Sequence, residues 1–169
     1  MNKVISIIFL LIINSNISFG QFTSGSIIPR LGKSILERNG EKIVLSKNRT
    51  KLLKYDVIRT SDNGKIEIIL FGGDKIYITQ NSEIRYSEIF EPKGLAKILN
   101  RSIQLKGRLL SKVQRNPTRN FTVRTVNAII AVKGTEYIVE HLKKTTRVGT
   151  IKGVVTMSSI QNKESIDID

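Results

Sequence analysis

The side chains that most often carry catalysis are scarce in this chain, which has one histidine, His141, and no cysteine. A Ser-His-Asp relay needs an imidazole held by a carboxylate, and a zinc site needs three or four His, Cys, Asp or Glu ligands. His141, next to Lys143 and Lys144, reads as a solvated loop residue. Asp56, Asp62 and Asp74 could offer carboxylate oxygens to calcium or form an acid-base pair. Their settings near Asn63-Gly64 and Gly72-Gly73 are accounted for by turn formation, in which Asp and Asn bond their own backbone and glycine supplies positive φ. Ser24 to Ser26 and Gly149 to Gly153 match no phosphate-cradling loop that runs into a helix. The expectation is a protein without catalytic residues, metal or cofactor.

Cations are what the sequence does supply. It holds 28 lysines and arginines against 14 acids, and Arg101 to Arg119 contains six basic residues and no carboxylate. Such a charge attracts anionic partners. Arg119, Arg124 and Lys133 are the expected contact residues, as outward charges beside irregular strands. Aromatic residues make up only 6% of the chain, with no tryptophan, which disfavours the base-stacking surface that single-stranded nucleic acid requires.

Where those cations work depends on the first twenty residues. Lys3, the apolar run Val4 to Ile13 and the small residues Ser18 and Gly20 form the pattern of a secretory signal peptide cleaved after Gly20. The apolar run is well short of the roughly twenty residues that span a bilayer. The mature chain, Gln21 to Asp169, then loses Lys3 alone and keeps 27 basic residues against 14 acidic, a net charge of +13. The expected location is periplasmic or secreted. Nucleic acid is not expected as a partner there; an envelope protein, an anionic glycan, peptidoglycan or a lipid surface is.

The elements that must position these residues are strands. Asn39-Gly40 between short apolar runs is a hairpin signal, since both positions tolerate positive φ. Asp62-Asn63-Gly64 and Gly72-Gly73-Asp74 separate three runs, the middle one placing Ile66, Ile68 and Leu70 on one face and Lys65, Glu67 and Ile69 on the other. This reads as a meander with one dry and one wet face. Residues 91–100 look helical for about two turns, and Gly107 breaks a later strand. Residues 161–169 read as a loose polar tail. The fold expected is an all-β antiparallel sandwich, jelly-roll-like, with at most one short helix.

The stretch FTVRTVNAIIAVKGTEYIVE, Phe121 to Glu140, is too long for one strand, and its alternation slips twice. Phe121 and Val123 point inward, then Ala128, Ile130 and Val132, then Tyr137 and Val139. Side chains alternate with a period of two, so each slip needs an extra residue, a bend or a change of sheet. The slips fall at Thr125-Val126-Asn127 and at Gly134, the latter read as a bulge or corner with Thr135 as its hydrogen-bonding neighbour.

This stretch resembles the signature of FecR-type domains, a strand leading into Thr-Pro-x-Ala, an apolar triplet and Val-Arg-Gly-Thr-x-Phe/Tyr. The matching residues are Thr125, Ala128, Val132, Gly134, Thr135 and Tyr137, with Lys133 in place of arginine and Val126 in place of proline. Residues 42–158 follow the family's order of elements, leaving 21–41 as an N-terminal segment with a first strand and 159–169 as a flexible tail. In the founding members, such a domain relays contact with an outer-membrane iron-siderophore receptor through a spanning helix to a cytoplasmic anti-sigma segment. The hydrophobic run here begins at Val4, so the resemblance implies a stand-alone exported module, non-catalytic, acting in protein interaction or sensing. An envelope-polymer-binding or structural protein is the alternative.

Overall fold

A computed structural model describes residues 22–162 and 164–169. The expected signal peptide lies outside the described residues. In chain order the strands are β1 (Thr23–Leu31), β2 (Ser34–Arg38), β3 (Glu41–Leu45), β4 (Thr50–Leu53), β5 (Val57–Thr60), β6 (Lys65–Leu70), β7 (Lys75–Ile78) and β8 (Glu83–Lys93). There follow β9 (Ala96–Lys112), β10 (Arg119–Arg124), β11 (Ala128–Val132), β12 (Glu136–Leu142), β13 (Thr145–Lys152), β14 (Val155–Ser159) and β15 (Ser165–Ile168). The described residues contain no helix.

The strands form two open layers of a β-sandwich that share β9. The first layer runs β4-β1-β6-β7-β9-β12-β13. The second runs β3-β2-β5-β8-β9-β10-β11-β14-β15. Up to Lys106, β9 pairs with β8 in the second layer; from Gly107 on, it pairs with β12 in the first. Gly107 has φ +103°, and an added Cβ would lie 2.7 Å from Ser82 Cα, so the crossing demands glycine. Because β9 doubles back in this way, β10 can return beside its beginning, and the two pair in parallel. Among the described residues that is the one departure from the antiparallel expectation.

Alternation supplies the core. Ile27, Ile66, Ile68, Ile76 and Val139 of the first layer face Leu36, Ile58, Ile84, Ile103 and Ile130 of the second, all essentially buried. Burying side chains of this size contributes about 1.5–3 kcal/mol each, and in a chain without cysteine this packing carries the stability.

Four expectations change. The turn at Asp62-Asn63-Gly64 does not close a hairpin: β5 belongs to the second layer and β6 to the first, so only β6 and β7 form a hairpin there. Residues 91–100 are not helical but form the end of the β8–β9 hairpin, closed by Gly94 at φ +60°. The C-terminal tail is not loose, since β15 pairs with β14. His141 is not a loop residue; it continues the inward parity of Tyr137 and Val139 on β12 and is buried, with Nδ1 2.9 Å from Thr146 Oγ1.

Candidate functional site

The signature residues lie at a turn within the second layer and at the change of layer that follows it. The first slip is the tight turn between β10 and β11, where Thr125 Oγ1 accepts a hydrogen bond from the Ala128 N–H at 3.1 Å. The second is the passage from β11 in the second layer to β12 in the first, made at Gly134 with φ +69°. An added Cβ at Gly134 would meet Arg115 Cβ at 2.6 Å. Thr135 Oγ1 donates to the Val154 carbonyl at 3.0 Å, joining this corner to the next change of layer, at Gly153 between β13 and β14. Ala128, Val132 and Tyr137 are buried in the core. Burial pushes the Tyr137 hydroxyl well above the usual phenol range.

The three expected contact cations are not brought together. Arg124 ends β10 and is exposed, while Arg119 begins it, about 16 Å away along an extended strand. Lys133 is exposed at the Arg119 end, lining a shallow groove with Asn100, Asn120 and Thr156. Arg119 is not an outward charge: its Nη1 donates to Asp74 Oδ2 at 3.1 Å and its Nη2 to the Gly72 carbonyl at 3.2 Å.

Asp74 also differs from its sequence reading, because its carboxylate is the centre of a buried network and not only a turn residue. Arg101 Nη1 donates to Oδ2 at 2.8 Å, and the Gln114 N–H donates to Oδ1 at 2.8 Å. Beside it, Glu88 accepts from Tyr86 Oη and Ser24 Oγ, each at 2.7 Å. Burial, with the Glu88 carboxylate close by, pushes the Tyr86 hydroxyl far above its ordinary value, so it remains a donor. Asp56 has a comparable role, gripped by the Arg38 guanidinium at 2.8 and 2.7 Å. Among the described residues, no three His, Asp or Glu side chains gather as a metal set.

Beyond that network the inner face of the β8–β9 hairpin runs past the cover of the first layer. Tyr86 is buried, Glu88 is half-buried and Phe90 is 63% exposed. Phe90, Ile89, Phe22 and Tyr55, with Lys54 and Glu88 at the rim, enclose an apolar cleft of about 400 Å³. Lys54 Nζ sits 4.8 Å from the Tyr55 ring centre. Reading residues 91–100 as helical hid this surface, although Ile89 and Phe90 beside Pro92 and Gly94 gave a local sign of an apolar hairpin end.

The profile described as FecR protein matches residues 56–156. Two crystal structures of a candidate anti-sigma factor from Parabacteroides distasonis ATCC 8503 are similar, at 16% and 15% identity and TM-scores of 0.49 and 0.48. Each alignment covers 67% of this chain and 59% of the other, so the chain spans about three-fifths of the length of those structures. No curated protein matches the chain. With the profile running over 101 of 169 residues, this chain belongs to the FecR protein family.

Proposed function

We propose that this chain is an exported, non-catalytic sensory module of the cell envelope, which holds a protein partner in the cleft formed by Phe22, Tyr55, Ile89 and Phe90. Family membership supports a signalling role. The pattern of residues 1–20 supports export.

The cleft is the observation that carries the partner. Phe22 is 91% exposed, Phe90 63% and Tyr55 60%, although the earlier inward residues of β8, Ile84 and Tyr86, are closed over, and Ile89, 53% exposed, adds apolar surface at the cleft edge. Contiguous apolar surface of this kind marks interaction sites, and aromatic side chains are enriched at the cores of protein interfaces. Lys54 and Glu88 at the rim give one charge of each sign to fix the register of a bound segment.

Photo-crosslinking in intact cells tests this reading, with p-benzoylphenylalanine at position 90 and, for comparison, at position 43 on the exposed edge strand β3. A discrete protein adduct at position 90 alone is expected. Adducts at 43 and none at 90 would move the partner to the sheet edge and discard the cleft. N-terminal sequencing of the exported chain should begin at Gln21.

A further inference from the structure

A second recess lies on the outer face of the second layer. It measures about 450 Å³ and is lined by Arg85, Gln104, Lys106 and Arg124, with Val126 and Ile160 at its apolar end. Strand register fixes the row: Arg85 stands opposite Gln104 on β9, and Gln104 stands opposite Arg124 on β10. At a strand spacing of about 4.8 Å, the Cα atoms of the two arginines are about 10 Å apart with an amide between them.

The cations of the recess outnumber its carboxylate, Glu83, which stands opposite Lys106 on β9. Glu83 is held by Arg59 Nε at 2.8 Å. Among the described residues Arg85, Lys106 and Arg124 have no ion-pair partner, in a chain where most arginines hold a carboxylate. Three cations on adjacent interior strands, positioned by the ladder and facing solvent, form a preset anion receptor.

We infer that this recess binds an extended acidic segment of a partner protein, with Arg85 and Arg124 each gripping one carboxylate and Gln104 donating between them. Alternate side chains of an extended strand lie about 7 Å apart, a span on which two long guanidinium side chains rooted about 10 Å apart can converge. Val126 is 74% exposed and Ile160 44% exposed, and they offer contact to an apolar side chain of the same segment. No aromatic ring lines the recess. Sugar rings and bases lack a stacking platform there, and a membrane surface lacks the aromatic anchors of an interfacial site. The site is separate from the Phe90 cleft.

Fluorescence anisotropy with the full chain decides it, the probe being a labelled ten-residue peptide of alternating Glu and Ala. The expected result is saturable binding that weakens with salt, is absent for the Gln-Ala peptide and falls about tenfold or more in Arg85→Ala/Arg124→Ala. Lys47→Ala/Arg49→Ala removes the same charge from the loop before β4 and should bind as the parent does. Melting temperatures within error of the parent's confirm that each variant folds. Absence of peptide binding overturns the inference, as does equal loss in the two double variants, which would reveal only bulk charge. Stronger binding of polygalacturonate or phosphatidylglycerol vesicles through the same arginines also overturns it, assigning the recess to a glycan or lipid. None of these results alters the position 90 crosslink.

Discussion

Arg101 on β9 reaches across the sandwich to Asp74 in the β6–β7 turn, placing Nη1 2.8 Å from Oδ2 with both side chains almost wholly buried. One partner comes from each layer, so the contact fixes how the layers meet at this end of the fold. Arg119 and the Gln114 N–H complete the shell of Asp74. Removing one member of a buried ion pair leaves the other unpaired in a low-dielectric setting. Asp74→Asn should therefore destabilise the chain by about 3–5 kcal/mol, measured by urea unfolding. A loss under about 1 kcal/mol would show that water already screens the site.

Arg119, Arg124 and Lys133 look equivalent in the sequence and should separate in their effects. Arg119→Ala removes a bond to buried Asp74 and should cost about 1–3 kcal/mol. Arg124→Ala and Lys133→Ala change exposed side chains and should stay within about 0.5 kcal/mol. Equal unfolding midpoints for all three variants would contradict the buried role of Arg119.

Gly134 and Gly40 both have positive φ, at +69° and +84°, but only Gly134 faces a neighbour, Arg115. Valine at either position bears the backbone strain. Gly134→Val should exceed Gly40→Val by about 1–3 kcal/mol through overpacking. Matching losses in thermal unfolding would leave strain alone as the reason for glycine.

Glu67 is buried on the outer side of β6, facing Arg30 of β1. Burial works to raise its pKa, but hydrogen bonds from Arg30 and Tyr77 and the Arg30 charge outweigh it, so the carboxyl titrates below its ordinary 4.5. The folded chain then binds fewer protons than the unfolded one. This stabilisation is present above the unfolded value and is lost as pH falls through the folded one. Glu67→Gln should be less stable than the parent at pH 7, and the difference should shrink as pH drops below 4.5. A constant difference across a pH series of melts would rule out the linkage.

Much of the fold was legible because it rests on local rules. Period-two alternation exposed the strands, Asn39-Gly40 closes β2 and β3 in a two-residue turn, and the slip at Gly134 marked a change of layer. The same parity, carried two residues beyond Val139, places His141 inside. Residues 91–100 misled because a short hairpin end carries few alternating positions, and the few apolar ones also fit a helical turn.

By itself the sequence determined the β class, the family signature, the glycine corners and the excess of cations, since each is written in neighbouring residues. Which cations remain available was decided only by the tertiary structure. Arg101 and Arg119 lie in one basic run with no acid, yet folding sets both on Asp74, 27 and 45 residues away. Arg85 and Arg124, far apart in the chain, come to share one recess. Charge is a property of composition, but its compensation depends on which strands the fold brings side by side.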